Sequence, residues 1–391
     1  MSPAPNGTEE LRGFIDVTRT FAAKTVAAIF DGKHPDGDTG KLPAVLDKAF
    51  EIGLAASPDR TQPGYEYGIW GSALHQAGLE LSAELLAVLA EVCGGIAMNL
   101  HVQGLASQVV MHSGRVLPGP LIKVAPAIQE ECGLPGYGTL HSPSRDAPAR
   151  ILTEARPAWD GCLVSGTKPF VYAMPGVEAY VLFCRVAGEE NWGCFLIPES
   201  AAGLQVTPVE HRTGLRACRL AHLTLKDAFI PHADRLDDGN ALPLLTRAVS
   251  LHWLGIAAIA TGIAQGAVRA ARKYAAERYQ GGTLIENLPA VRMLIAGAEA
   301  NLEVSRALVR QTAARGPDSP ALLRACAIAR LATLELCASS VTDALQVFGG
   351  YGYMEDYGME KRLRDVTVLK SSAGTPNYLK QFIFEVAEVK P

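Results

Sequence analysis

Residues 345–375 read LQVFGGYGYMEDYGMEKRLRDVTVLKSSAGT, and the order of textures within them constrains the rest of the chain. An apolar stripe at helical spacing (Cys326, Ile328, Leu331, Leu334, Val341, Leu345) enters the stretch from its N-terminal side. It meets Gly349-Gly350-Tyr351-Gly352, then a charged segment ending in Arg364-Asp365, then Ala373-Gly374-Thr375. A glycine cluster that follows a helix, and lacks the GxGxxG spacing, is not the dinucleotide fingerprint of a doubly wound sheet.

Outward from that stretch, two more stripes recur with a helical period: Ile256, Ile259, Ile263 and Ala267, then Val291, Leu294, Leu302 and Leu308. Three long helices in series predict an up-and-down bundle from about Leu242. The preceding region is different. Short β-rich runs (Cys162–Val164, Phe170–Tyr172, Tyr180–Cys184, Cys194–Ile197, Leu204–Val206, Leu220–Leu225) are separated by turn signals such as Asp160-Gly161 and Ala202-Gly203. They predict a small sheet or barrel with its strands between about 136 and 232. Earlier still, Leu11–Phe30 and Leu79–Val92 carry helical periodicity, and Pro and Gly punctuation from Pro118 to Pro143 marks a boundary. Helices, then strands, then helices predict an α+β protein with segregated parts: 1–135 helical, 136–235 β, 236–391 bundle.

Composition fits an enzyme. The 391 residues carry a net charge of -4, which gives no electrostatic case for nucleic acid or an anionic membrane. The N-terminal MSPAPNGTEELRG lacks the basic-then-apolar order of a signal peptide, and no uninterrupted apolar run reaches the ~18 residues of a span, so a cytoplasmic location is expected. The eight cysteines and nine histidines are scattered without metal-ligand spacing, so no metal site is expected.

Four segments resemble the acyl-CoA dehydrogenase family: WDGCLVSGTKPFV (159–171), GLRACRLAHLTLKDAFIP (214–231), GIAQGAVRAARKYAAERYQGG (262–282) and LQVFGGYGY (345–353). Their shared order carries the resemblance. It implies the same helical, β and helical-bundle architecture, an acyl thioester substrate, a homo-oligomer (dimer or tetramer) and FAD bound across a subunit interface. Arg278 and Gln280 match the family's RxQFG turn, whose Arg reaches the FAD pyrophosphate of a neighbouring subunit. A planar guanidinium suits a diphosphate because it donates two charge-assisted hydrogen bonds in one geometry. Gln346, Gly349 and Gly350 match the adenine-side QVFGG contact, and Thr375 the Thr of a Glu-Gly-Thr turn.

On the flavin-ring side the resemblance thins. The family's TEPGxGSD loop reads Thr139, Leu140, His141, Ser142, Pro143, Ser144, Arg145, Asp146, keeping the first and last positions. The WIT strand becomes Phe170, Val171, Tyr172; the Gln expected after the RxQFG turn is Pro289, and the Phe of that turn is Gly281. Above all, the catalytic Glu of the Glu-Gly-Thr turn is Ala373. The family reaction removes a proton beside the thioester while hydride leaves for the flavin, which demands a positioned base. Some relatives place that Glu on the first bundle helix, ten residues before the Gly of the GIAQ-type sequence, and here that register gives His252. Imidazole is a competent base near neutral pH; the bland reading of a histidine at the start of an apolar helix is a capped or hydrogen-bonded, inert residue. His101, in the helical NLHVQG segment, is a less specific candidate, and His141 lies in the flavin-loop segment, whose neighbours have diverged too far to assign it a role. Tyr351 and Tyr353 read as packing residues, and Arg364-Asp365 as a structural ion pair. Three functions stay open: an acyl-CoA dehydrogenase-like flavoenzyme with a missing or relocated base, a non-catalytic partner subunit of a hetero-oligomer with a Glu-bearing paralogue, and a flavin monooxygenase of the same fold.

Overall fold

The computed structural model describes residues 7–30, 36–61, 64–71, 78–115, 123–130, 153–190 and 192–388. The N-terminal part comprises α1 (Gly7–Phe21), α2 (Leu42–Glu51), the short α3 (Gly64–Tyr67), α4 (Gly78–Ala90) and α5 (Gly94–His112). The middle holds β1 (Val124–Ala127), β2 (Glu154–Ala158), β3 (Gly161–Ala173), β4 (Ala179–Val186), β5 (Trp192–Pro198), β6 (Leu204–Pro208) and β7 (Arg219–Pro231). The C-terminal part comprises α6 (Leu242–Glu277), α7 (Pro289–Ala313), α8 (Leu322–Val347), α9 (Met359–Ser371) and α10 (Pro376–Glu388), with a small hairpin, β8 (Tyr279–Gln280) and β9 (Thr283–Leu284), between α6 and α7. The expected α+β architecture is therefore present.

In the sheet, strands run in the order β1-β4-β2-β3-β7-β6, and β5 lies along the other edge of β4. β1 and then β2 pair with successive parts of β4, both in parallel. Neither strand was expected, because EARPA (β2) lacks alternation and VAPA (β1) has a proline at its centre. Two of the expected runs, Cys162–Val164 and Phe170–Tyr172, are the ends of a single strand, β3, which pairs with β7 through two register shifts. The boundary expected at 135/136 lies outside the described residues, but β1 already belongs to the sheet before it.

The central element is α6, 36 residues long. Asn240 Oδ1 accepts from the Leu242 N–H at 3.0 Å, and Pro243 fits the first turn, where no N–H is needed. Ile256, Ile259, Ile263 and Ala267 are buried to 1 % exposure or less, and burial extends to every side of the helix between Ala257 and Ala264. A helix apolar all round is a core helix. Its best window would satisfy a membrane span by length and composition, yet 72 % of that window is buried inside the protein, against α4, α5, α7 and α8. Along α7 the buried stripe is Ile295, Ala298, Leu302, Ser305 and Val309. Val291, Leu294 and Leu308, expected in the core, flank it half-buried.

Close approach of α6 to its neighbours is set by glycine. A Cβ on Gly262 would lie 2.1 Å from the Ala87 carbonyl oxygen of α4, and one on Gly266 2.3 Å from that of Glu91. Gly262→Ala is expected to destabilise the protein by about 1–3 kcal/mol through this overpacking. Gly297→Ala, on an exposed helix face with nothing within 4 Å, should instead stabilise by up to about 1 kcal/mol through helix propensity. Urea unfolding of both variants checks the pair, and a Gly262 variant as stable as wild type would mean that α4 and α6 are not in backbone contact.

Candidate functional site

Two separate cavities gather the candidate residues. The first, of about 360 Å³, lies where the end of β3, the helices α5 and α6 and the turn after α9 meet; Val102, Phe170, Tyr172, His252, Ser372 and Ala373 contribute to its wall. His211 and Arg212, from the loop before β7, also line it; sequence reading missed them because no local motif surrounds them.

Ala373 keeps an unusual backbone. Its φ is +56° and that of Gly374 is +104°, and a left-handed alanine costs roughly 1–2 kcal/mol. Arg330 of α8 holds the turn in place. Its Nη2 donates to the Ser372 carbonyl and, at 2.7 Å, to that of Gly374, while Trp253 Nε1 donates to the Ala373 carbonyl at 2.9 Å. Arg330 is fully buried, and its Nε and Nη1 have no partner among the described residues. Burial pulls its guanidinium down to about 9, so it remains charged at neutral pH. A buried cation pinning a left-handed turn was not expected from a residue within an apolar stripe. Tyr172, from the end of β3, lies within hydrogen-bond reach of Ser372, 3.3 Å between the hydroxyl oxygens; burial raises its phenol to about 12, so it stays protonated.

His252 shares this cavity with Ala373, and His101 lies behind it. His101 Nε2 and His252 Nδ1 are 2.8 Å apart, with the two rings nearly parallel (14° between planes) and meeting edge to edge, 5.0 Å between centroids; Trp70 Nε1 donates to His101 Nδ1 at 2.8 Å. The two histidines are 151 residues apart in sequence, so nothing local pairs them. Gly255 makes the arrangement possible: a Cβ there would lie 2.2 Å from the His101 ring. Burial holds His101 well below the ordinary imidazole range, with His252 adding to the effect; burial, then the Arg330 charge, lower His252 to about 3. Both rings are neutral at physiological pH.

The second cavity is an open cleft of about 810 Å³ at the end of α6, lined by Arg278, Gln280, Gly281, Gln346, Gly349 and Gly350 among others. Five of the residues expected on the cofactor's phosphate and adenine side thus come together. The Arg278 guanidinium lies over Tyr351, 5.3 Å from its ring centroid, and its buried Nε has no partner among the described residues. Gly281 and Gly349 adopt φ values of +67° and +57°, and a Cβ on Gly281, Gly349 or Gly350 would meet nothing within 4 Å, leaving space for a ligand against the backbone. This donor set and its open cradle fit a nucleotide diphosphate. His252 and Arg278 stand 26 positions apart on or at the end of α6, which is ~39 Å along a helix, beyond the span of one dinucleotide.

Other expectations resolve differently. Thr375 lines neither cavity and accepts from the Tyr378 N–H at 3.2 Å, at the start of α10. Arg364 and Asp365 are structural but not paired with each other: Arg364 bonds Glu360 and Asp36, while Asp365 accepts from Lys361 and the Leu215 N–H. Their side chains leave a helix one position apart, on different faces. Tyr353, expected to pack, is 82 % exposed. Thr139 and His141 lie outside the described residues.

The buried histidines make stability depend on pH. The unfolded chain protonates imidazole near pH 6.5 whereas the folded state keeps both rings neutral, so below that pH the unfolded state binds more protons and stability falls as pH falls. Between pH 8 and pH 5 the fully buried His101 should cost about 2 kcal/mol, and His252, which touches the cavity, somewhat less. Urea midpoints across that range should fall, with a shallower slope in His252→Gln; equal slopes would show that His252 takes up its proton while folded.

Comparison with known proteins agrees with this architecture. Residues 244–387 match the acyl-CoA dehydrogenase C-terminal domain. The chain is 28 % identical over 373 residues to cyclohexane-1-carbonyl-CoA dehydrogenase of Syntrophus aciditrophicus, covering 94 % of each chain. Among solved structures it is similar in fold to the prolyl acyl carrier protein oxidase AnaB (TM-score 0.81, 19 % identity, 99 % of this chain and 100 % of that one). It is also similar to a glutaryl-CoA dehydrogenase from Mycobacterium smegmatis in complex with FADH2 (TM-score 0.80, 16 % identity, 97 % and 95 %). From residue 244 onward the chain matches the C-terminal domain of the acyl-CoA dehydrogenase family, and its helix, sheet and bundle order is the fold of the acyl-CoA dehydrogenases it resembles.

Proposed function

We propose that this chain is an FAD-dependent flavoprotein that binds acyl thioesters, works as a homo-oligomer, and lacks the carboxylate base of an ordinary acyl-CoA dehydrogenase. The observation that carries this reading is the ~39 Å separation along α6 between the Ala373/His252 cavity and the Arg278 cleft. One chain would hold the flavin-ring side of one FAD and the phosphate side of another. When bound, FAD supplies the hydride-accepting centre. Arg278 would neutralise the diphosphate, Gln346 and the Gly349-Gly350 backbone would border the adenosine, and Tyr172 and Phe170 would border the ring.

Position 373 shares the cavity but presents a methyl group, and a histidine as weakly basic as His252 is almost wholly unprotonated and poorly disposed to take up a proton. An intact cleft on a chain whose distant cavity has no carboxylate among its described lining residues also favours a second reading, in which the chain lends Arg278 and Gln346 to a Glu-bearing partner in a hetero-oligomer. The composition of the assembly purified from its native source separates the two, since a flavin-bearing homo-oligomer supports the first and a mixed assembly the second.

Flavin retention should depend on Arg278. Loss of a charge-assisted contact worth about 1.5–3 kcal/mol should weaken FAD binding ~10-fold or more in Arg278→Ala, read by flavin absorbance after gel filtration; unchanged retention would make the Arg a surface charge. Turnover of straight-chain acyl-CoA should be slow in the natural sequence and should rise in Ala373→Glu, because positioned proton abstraction contributes ~10²–10⁴ in rate. Rapid natural turnover that survives loss of every histidine would contradict the base-free reading.

A further inference from the structure

Three groups in series, Trp70, His101 and His252, settle a proton position that hydrogen-bond distances alone leave open. An indole nitrogen only donates, so His101 Nδ1, 2.8 Å from Trp70 Nε1, must accept. A neutral imidazole has one donor and one acceptor, so the His101 proton sits on Nε2 and is donated to His252 Nδ1, 2.8 Å away. His252 Nδ1 therefore accepts, and its own proton sits on Nε2. The charged group acting on His252 is Arg330, and among the described residues no carboxylate contributes to the electrostatics of either ring; such surroundings keep the rings neutral and the series intact.

The frame around the series is rigid. Trp70 and His101 are fully buried. Gly104 of α5 lets the turn at Ile69 approach, since a Cβ there would lie 2.0 Å from the Ile69 carbonyl oxygen, and Gly255 clears space for the His101 ring. The His252 ring thus has one nitrogen committed inward and one, Nε2, with no partner among the described side chains and backbone. His252 lines a cavity whose wall is otherwise built largely of apolar groups such as Val102, Ile128, Val171 and Val368. His252 is only partly buried, so water can meet Nε2 in the open cavity; an acyl group that displaces that water without offering an acceptor would leave the donor unpaired, at a cost on the order of 1–3 kcal/mol that a matching oxygen avoids.

We propose that His252 acts as a fixed N–H donor that recognises a neutral acceptor oxygen (keto, hydroxyl or ether) on the acyl group, and that Trp70 and His101 are positioning residues that set its tautomer. This rests on the acyl-thioester reading above and narrows it to an oxygen-bearing acyl chain. It also explains the unsuitability of His252 as a base: the nitrogen available to a ligand already carries the proton, and the other is occupied.

Two measurements test the proposal. Long-range proton–nitrogen NMR of protein labelled with ¹⁵N-histidine reads the tautomers without any ligand. His101 and His252 should both show protonated Nε2 and bare Nδ1 between pH 6 and 8.5, and Trp70→Phe should let the proton redistribute. A proton on His252 Nδ1, or an imidazolium at either ring, overturns the proposal. Calorimetric titration of the FAD-loaded protein then compares 4-oxopentanoyl-CoA with pentanoyl-CoA and 5-oxohexanoyl-CoA with hexanoyl-CoA. At least one oxo thioester should bind ~10-fold tighter than its parent, the worth of one recovered hydrogen bond. His252→Leu should abolish that preference, and His252→Gln, which retains an N–H donor and preserves the fold if Leu does not, should keep part of it. Parents and oxo analogues binding equally to wild type, or a preference that survives in His252→Leu, overturns the donor assignment alone. If none of the four thioesters binds, the acyl-thioester reading fails, and this proposal fails with it.

Discussion

Backbone contact along α6 is the constraint on which the rest of the molecule depends. Gly255, Gly262 and Gly266 follow one another at seven and four positions, so they lie along one side of the helix. Two of them receive backbone from the end of α4, and the third receives the ring of His101 from α5. Side chains of any size there would push the N-terminal helices away from the bundle. Both walls of the first cavity would then separate, because His252 comes from α6 and Val102 from α5.

Buried charge is placed where backbone must be held against its preference. Lys168 and Glu130 pair with both side chains fully buried, joining β3 to the segment three residues beyond the end of β1. Lys361 and Asp365 pair within α9, and Asp365 also accepts the Leu215 N–H at 2.6 Å, fixing another left-handed residue (φ +54°). Arg330 differs because its partners are carbonyls, not a carboxylate. Removing one member of such a set leaves a desolvated charge, which is commonly costlier than the pair's net contribution. These contacts therefore specify local backbone geometry more than they add overall stability.

Much of the architecture was legible because periodicity is local. The stripes of α6 and α8, the continuous apolar runs of β4 and β5 and the β-rich run of β7 each announce their own element. β1 and β2 were not legible, since a proline in VAPA and a weak pattern in EARPA hide strands that exist through pairing with β4. The cleft residues were legible as motifs, and they meet because the end of α6 packs beside the end of α8. The Trp70–His101–His252 series was not, since its members are 31 and 151 residues apart and bear no motif. The structural ion pairs of Arg364 and Asp365 were half legible: their charge marked them as structural, but their partners are set by tertiary packing.

The length of α6 has a genetic consequence. With the ring-side cavity and the diphosphate cleft far apart on one rod, and with cofactors shared as proposed, a chain defective in its cleft would impair its neighbour's flavin and leave its own ring-side wall intact. Co-expressing one allele damaged at Arg278 with another damaged in the His252 cavity would yield assemblies in which some interfaces combine two sound halves and others two faulty ones. Phenotype would then follow the mixing ratio of the subunits, so that alleles individually null could complement each other inside a single oligomer.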